Sequence, residues 1–307
     1  MEWGSENRAK ENHMLPQFEL LMPRTLPEAL EMLAARAADA LPVAGGTNLI
    51  PDLRGGKRRP RVLVTVAGLD ELRYIGVGEH GRYAVMGAGV TVADLLESGY
   101  IAEHAGVLAQ AASVFANPLI RNRATVGGNL GNASPAADTA PPLLVMDAEV
   151  NLASADESRW VDLDDFFVDV CDSVCRPGEL ITAIRWPIPR PRTFGRFRKL
   201  SLRKSTAVAV VSVAGRVTFD EAGRCEDAAI ALGAVAPTPI RVGEAEDVLR
   251  GEVLASDVIE EATRFACAAA RCIGDVRGSA AYRERVTNVL LRRLLTEAQD
   301  WGTERWN

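Results

Sequence analysis

Between Ile120 and Leu144 the chain reads I-R-N-R-A-T-V-G-G-N-L-G-N-A-S-P-A-A-D-T-A-P-P-L-L. Gly127 and Gly128, Asn129, Asn132, Ser134 and Asp138 crowd this stretch, with no Lys, His or Cys after Arg123. Paired glycines let a ligand approach bare backbone amides. Asn, Ser and Thr supply neutral hydrogen bonds, and Asp138 offers acceptors to a hydroxyl. Such residues suit the grip on a diphosphate and its ribose. They do not suit a catalytic acid or a nucleophile. A structural turn rich in Gly, Asn and Pro is the plainer alternative.

A second stretch, Val43-Ala-Gly-Gly-Thr-Asn-Leu49, places its glycines directly after a strand pattern. Two Gly-Gly loops can converge on one diphosphate through their amides, an anion nest that needs no fixed positive charge. Two other motifs fail on context. Gly76-Val-Gly78-Glu-His-Gly81 fits G-x-G-x-x-G, but a strand pattern follows it where a dinucleotide fingerprint opens a helix, so a hairpin turn is expected. Gly55-Gly56-Lys57 is followed by Arg58 where a phosphate loop needs Ser or Thr for magnesium.

The bulk of the chain narrows the class. A length of 307 residues allows two domains, and 48% hydrophobic with 25% charged residues is ordinary for a globular protein. A net charge of −6 provides no general field for nucleic acid. Basic clusters, Lys57-Arg58-Arg59 with Arg61 and Arg292-Arg293, are short enough to be solvated faces or docking points for an acidic partner. No apolar run reaches the ~18 residues of a membrane helix, and the polar start lacks a signal core, which favours a cytoplasmic location. Cys171, Cys175, Cys225, Cys267 and Cys272 lack the spacing of a disulfide framework, a zinc site or an iron–sulfur cluster. The histidines, His13, His80 and His104, are scattered.

The elements that must carry the loops follow from pattern. Thr25-Leu-Pro-Glu28 has the form of a capping box, and a helix runs from it to about residue 38. Strands are expected at residues 41–44 and 62–66, and a hairpin at 72–77 and 83–86. Thr91 with Asp94 caps a helix to about residue 97, and another helix spans 105–115. Strands at 149–152, 159–163 and 179–186 precede the run P-I-P-R-P-R, a boundary. Residues 194–200, 207–219 and 228–235 read as an antiparallel set, followed by helices at 258–272 and 282–298. This order fits an α+β fold better than an alternating α/β one.

A-G-G-T-N-L and R-N-x-A-T-V-G-G-N-x-x-N-A-S-P-x-x-D-x-x-P resemble the FAD-binding medium subunit of the molybdenum hydroxylases, the xanthine and carbon monoxide dehydrogenase family. Gly87-Ala-Gly-Val-Thr-Val-Ala-Asp-Leu95 and Pro177-Gly-Glu-Leu-Ile181 extend the match, as do Gly233-Ala-Val-Ala-Pro-Thr-Pro-Ile-Arg241 and Asp275-Val-Arg-Gly-Ser-Ala-Ala-Tyr-Arg283. The likeness covers about residues 15–298. It implies an FAD-binding domain over 15–190, in two subdomains of about 15–70 and 71–190. A C-terminal domain of antiparallel sheet and helices would fill 191–307, and residues 1–14 would be a disordered extension.

The resemblance also implies roles. Val43, Ala44, Gly45, Gly46, Thr47, Asn48 and Leu49 would wrap the diphosphate. Phe115 and Ala116 would pack near the flavin or its chain. Ala124, Thr125, Gly128, Asn129, Asn132 and Ser134 would line the phosphates and ribityl. Asp138 would hold a ribose hydroxyl, and Ile181 and Lys199 would lie near the isoalloxazine. On its own, Lys199 reads equally as a solvated strand lysine and Phe115 as ordinary core.

Arg203-Lys204 is followed by Ser205-Thr206-Ala207, so the acid that some relatives carry there is not assigned. No Cys lies between Gly127 and Val170, so the extra cluster of relatives acting on hydroxybenzoyl-CoA is not expected. The implied function is electron transfer by FAD, from 2Fe–2S clusters on a small partner subunit to an acceptor such as NAD or a quinone. Substrate would be oxidised at molybdopterin on a large partner subunit, in a dimer of heterotrimers. Neither a metal on this chain, nor nucleic acid, nor a membrane span belongs to this reading. A self-sufficient flavin oxidase or reductase of related fold is one alternative, and a non-catalytic nucleotide-binding protein another.

Overall fold

A computed structural model describes residues 15–78, 81–203 and 207–306. The 1–14 extension, the hairpin tip at Glu79 and His80, and residues 204–206 lie outside the described residues.

The first strands make a small parallel sheet in the order β1 (Glu19–Leu21), β3 (Val62–Thr65), β2 (Ala40–Val43). Parallel neighbours need crossovers. Helix α1 (Leu26–Ala35) provides one, and α2 (Leu49–Arg54) provides the other. The hydroxyl of Thr25 accepts from the Glu28 amide, as expected, but the Glu28 carboxylate reaches the Arg24 amide, at 2.6 Å, and not Thr25. The helix ends at Ala35, short of residue 38. Ala29, Leu30, Leu33, Val62 and Val64 form this layer's core.

The second sheet is antiparallel, in the order β4 (Ile75–Val77), β5 (Tyr83–Gly87), β10 (Leu180–Pro187), β6 (Glu149–Ala153), β7 (Ser158–Asp162). Gly76 and Val77 thus lie in β4, antiparallel to β5, as a hairpin and not a dinucleotide fingerprint requires. Residues 70–72, read in part as strand, form a 3-10 turn. Six helices lie between β5 and β6: α3 (Val92–Glu97), α4 (Gly99–His104), α5 (Gly106–Ser113), α6 (Pro118–Arg121), α7 (Val126–Gly131) and α8 (Ala140–Val145). Thr91 and Asp94 complete the expected capping box at α3. A short helix α9 (Leu163–Phe166) and the strands β8 (Phe167–Asp169) and β9 (Asp172–Ser173) follow β7.

The third sheet is an antiparallel run of β11 (Thr193–Ser201), β12 (Ala209–Phe219), β13 (Cys225–Gly233) and β14 (Ile240–Arg241). Helices α10 (Gly243–Leu249), α11 (Ser256–Ala269) and α12 (Ala280–Trp306) complete the chain. Helix α11 stops three residues before the expected 272, and α12 runs past 298. Both faces of this sheet are covered. Phe197, Ala214, Ala229 and Ala231 join the core of the second sheet and its helices, while Val211, Val213, Val217, Ile230 and Leu232 pack with Leu291, Leu294 and Leu295. Continuous burial along β12, with only Arg216 half-buried, follows from that position. The observed class is the expected α+β.

Candidate functional site

The first loop leaves β2 at Val43 and enters α2 at Leu49, with Asn48 at the helix start making no side-chain cap. Gly46 has φ +68°, which a side chain rarely adopts. Gly45 is held for another reason: an ideal Cβ there would stand 1.8 Å from the Arg123 carbonyl oxygen. The Arg123 guanidinium donates back to the Gly45 carbonyl, at 3.2 Å. The two glycine loops therefore meet, at Gly45 and Arg123. Among the described residues, the amides of Gly45, Gly46, Thr47 and Asn48 donate to no backbone carbonyl. Ala44 through Thr47 are half-buried and Asn48 is exposed.

The second stretch is not one loop. It contains the short helices α6, α7 and α8. Asn117 caps α6 by accepting from the Ile120 amide. Thr125 caps α7 by accepting from the Gly128 amide at 3.0 Å. The entry to α7 is stitched to the turn after β5: Val92 donates to Ala124, Val126 to Val90 and Gly127 to Ala88. That gives the Gly87–Leu95 motif its purpose, because it fixes where α7 begins.

Asn129 turns its carboxamide oxygen inward, accepting from the Thr139 amide at 3.2 Å and from the Thr139 hydroxyl at 2.7 Å. Of its side chain only the amide nitrogen is left for a ligand. Ser134 accepts from the Ala136 amide, and Asn132 ends α7. Ala116 and Ala133 have φ of 36° and 46°, outside the ordinary range for a residue with a side chain. Phe115 and Ile181 belong to one core with Leu130 and Ala133, and Ile181 lies against Gly131, an added Cβ there standing 3.4 Å away.

Asp138 and Lys199 are the charged centre. Lys199 Nζ donates to Asp138 Oδ2 at 2.6 Å, and the two side chains are 3% and 9% exposed. The solvated alternative for Lys199 is thereby excluded. Asp138 Oδ1 is buried and, among the described residues, has no hydrogen-bond partner. Burial pushes the Asp138 carboxyl above the usual carboxylate range, and the Lys199 ammonium opposes that shift only in part. An unpaired buried acceptor costs free energy until a donor meets it, so Oδ1 is where a ligand hydroxyl gains most.

Sequence reasoning passed over Arg123 and Thr139, which lock the two loops and the Asn129 amide. Both sit inside the stretch it singled out, so their positions were the available signal. Among the described residues, no hydrogen bond or ion pair joins residues 43–49 to Lys199, and no cluster of His, Cys, Asp and Glu could hold a metal ion.

Comparison with known proteins shows the family. Residues 16–189 match the family described as the FAD binding domain in molybdopterin dehydrogenase, and 196–298 match the CO dehydrogenase flavoprotein C-terminal domain. The carbon monoxide dehydrogenase medium chain of Afipia carboxidovorans is 32% identical over 287 residues, 93% of this chain and 98% of that one. The xanthine dehydrogenase FAD-binding subunit of Escherichia coli O157:H7 is 29% identical over 89% of this chain and 93% of its own length. Among solved structures, a chain of reconstituted CO dehydrogenase from Oligotropha carboxidovorans superposes with a TM-score of 0.89 at 31% identity, covering 94% of this chain and 99% of that chain.

Proposed function

The chain belongs to the FAD-binding flavoprotein family of the molybdopterin dehydrogenases, and from that premise we propose that it is the electron-transfer subunit of a heteromeric molybdenum hydroxylase. In this reading it takes electrons from 2Fe–2S clusters on a small partner subunit and delivers them to an acceptor such as NAD or a quinone. A large partner subunit holds the molybdopterin, and the whole is a dimer of heterotrimers. No described helix is long and apolar enough to cross a membrane; a cytoplasmic location is part of the proposal.

The residues present fit FAD. The single observation that carries the reading is Asp138, a buried carboxylate with one oxygen on Lys199 and the other without a partner. Four free amides at Gly45 to Asn48 suit diphosphate oxygens. The Gly45 contact with Arg123 leaves no room for a side chain between the loops. Bound FAD supplies the redox chemistry, accepting and releasing electrons singly or in pairs.

The protein's own part is grip, orientation and exclusion of water. The amides of Gly45 to Asn48 hold the diphosphate without a cation. Thr125 aligns α7 so that exposed Gly128 keeps the chain bare beside the phosphates and ribityl. Asp138 Oδ1 accepts from a hydroxyl of the cofactor, and Lys199 neutralises the carboxylate that does so. Phe115 and Ile181 present an apolar wall at the flavin end. The exposed run from Lys57 to Arg61, of which Lys57 is paired with Asp52 and Arg61 with Asp39, is the surface assigned to partner docking.

The test is to purify the full chain alone and with its partner chains. Alone it should carry one FAD, contain no iron, bleach with a chemical reductant and recover with an acceptor. With molybdopterin and cluster subunits it should enter a stable complex. Stoichiometric iron in the lone chain, or substrate-driven bleaching without partners, would reject the assignment; the latter would mark a self-sufficient flavoenzyme.

A further inference from the structure

Gln110 lies in the last turn of α5, and its side-chain amide forks onto β11. Nε2 donates to the Gly195 carbonyl at 3.3 Å, and Oε1 accepts from the Phe197 amide at 2.9 Å. β11 is an edge strand, so its outward N–H and C=O groups lack a strand neighbour. A group that donates to the residue before Arg196 and accepts from the residue after it does what one residue of a parallel strand would do.

The faces of β11 are unlike. Gly195 lies beside Val107 of α5, Phe197 enters the core shared with α5 and α8, and Lys199 reaches Asp138. Arg196 and Arg198 point the other way, and both pair with Glu297 of α12. A slip of one residue would exchange these faces and aim Arg198 or Leu200 at Asp138.

We infer that Gln110 is a positioning residue: it pins the register of β11 against α5, and so sets the Lys199 ammonium on Asp138 with Oδ1 left for the cofactor. The inference rests on the reading of Asp138 and Lys199 as cofactor-site residues.

The test uses the full chain, FAD as the titrated ligand, and the variants Gln110→Ala, Lys199→Met and the double variant. Flavin fluorescence gives the dissociation constant, and amide exchange of Phe197 reports the clamp directly. Gln110→Ala should speed exchange at Phe197 and weaken FAD binding about tenfold, the size expected for two ordinary hydrogen bonds. In the Lys199→Met background it should weaken binding no further, because both act through one contact. Equal weakening in both backgrounds would overturn the inference by revealing a merely structural role. So would unchanged affinity in Gln110→Ala while Lys199→Met weakens binding. Unchanged affinity in Lys199→Met would reject the site reading itself and the inference with it. Should Gln110→Ala fail to fold, Gln110→Glu keeps the acceptor for Phe197 and loses the donor to Gly195, and should fall between the two.

Discussion

An ideal Cβ on Gly127 would stand 2.5 Å from the Cβ of Ala88 and 2.8 Å from its carbonyl oxygen. One residue on, Gly128 is exposed, and its added carbon would meet only the Thr125 hydroxyl, at 2.8 Å. Adjacent glycines thus differ: Gly127 packs against the turn after β5, whereas Gly128 is open, as its proposed place beside the cofactor requires. Gly127→Ala should lower stability by about 1–3 kcal/mol through overpacking. Gly128→Val should cost only about 1 kcal/mol, by disturbing the Thr125 cap, yet purify without flavin. Thermal unfolding and the ratio of FAD to protein check both. A folded Gly128→Val with normal FAD would remove Gly128 from the site.

Asp138 should matter for affinity and not for proton transfer. Its bond to a hydroxyl is charge-assisted, worth about 1.5–3 kcal/mol, so Asp138→Asn should weaken FAD binding by roughly 10- to 150-fold. Asp138→Ala should also lower stability by about 1–3 kcal/mol, because the hydrogen bond from Lys199 loses its acceptor. Equilibrium binding and denaturant titration separate the two losses.

The same carboxyl predicts a pH dependence of the FAD-free protein. Burial raises its folded pKa above the ordinary 3.8. The folded state therefore holds this proton to higher pH than the unfolded chain. Its contribution to stability is fully present below 3.8 and is lost as pH rises through the raised value. Asp138→Asn should flatten that part of the stability profile, measured by urea unfolding across acidic to neutral pH. An unchanged slope would count against the burial described.

Thiol reactivity should follow position. Cys171 is exposed, whereas burial pushes the Cys175 thiol up to about 11 and the Cys225 thiol up to about 12. Only the thiolate reacts. Alkylation near pH 8 should label Cys171 and spare half-buried Cys175 and buried Cys225, with Cys175 labelling rising as pH approaches 11. Peptide mapping after iodoacetamide treatment checks the order, and early labelling of Cys225 would contradict it.

Asp147 ties the third sheet to the helices of the second. It forms an ion pair with Arg216 and accepts from Arg241, each at 2.8 Å, and sits at φ 53°. Asp147→Asn keeps a residue type tolerant of that backbone and loses the charge. It should cost about 1–2 kcal/mol in low salt and less in high salt. Urea titrations at two ionic strengths measure the difference.

What could be read beforehand divides by length and distance. The three long strands of the third sheet, β11 to β13, and the helices α11 and α12 carry enough residues for periodicity to speak, and the sequence reading differs from them only at their ends, whereas the two-residue β14 and the short α10 have no counterpart in it. Helices α6, α7 and α8 have four to six residues each and are rich in Gly, Pro and Asn, so the stretch around Gly128 reads as a loop in the sequence. The role of Asp138 is legible from its type, an acceptor in a glycine-rich stretch, and from the motif resemblance. Its partner Lys199 stands 61 residues away, a separation no local pattern reveals. Asn129 was assigned to the ligand because its type fits, while the structure spends its oxygen on Thr139.

β10 is the last strand of the second sheet to be made, yet it lies in the middle. Ala183 pairs with Gly87 on one side and with Asn151 on the other. During synthesis the hairpins β4–β5 and β6–β7 must therefore wait, their facing edges open, until the ribosome has delivered residues 180–187. Ile181 emerges with that strand and Lys199 after it. With Ile181 and Lys199 in the proposed cofactor site, flavin capture would be a late event in the life of the polypeptide, and a nascent chain stalled before β10 would present open strand edges without that site complete.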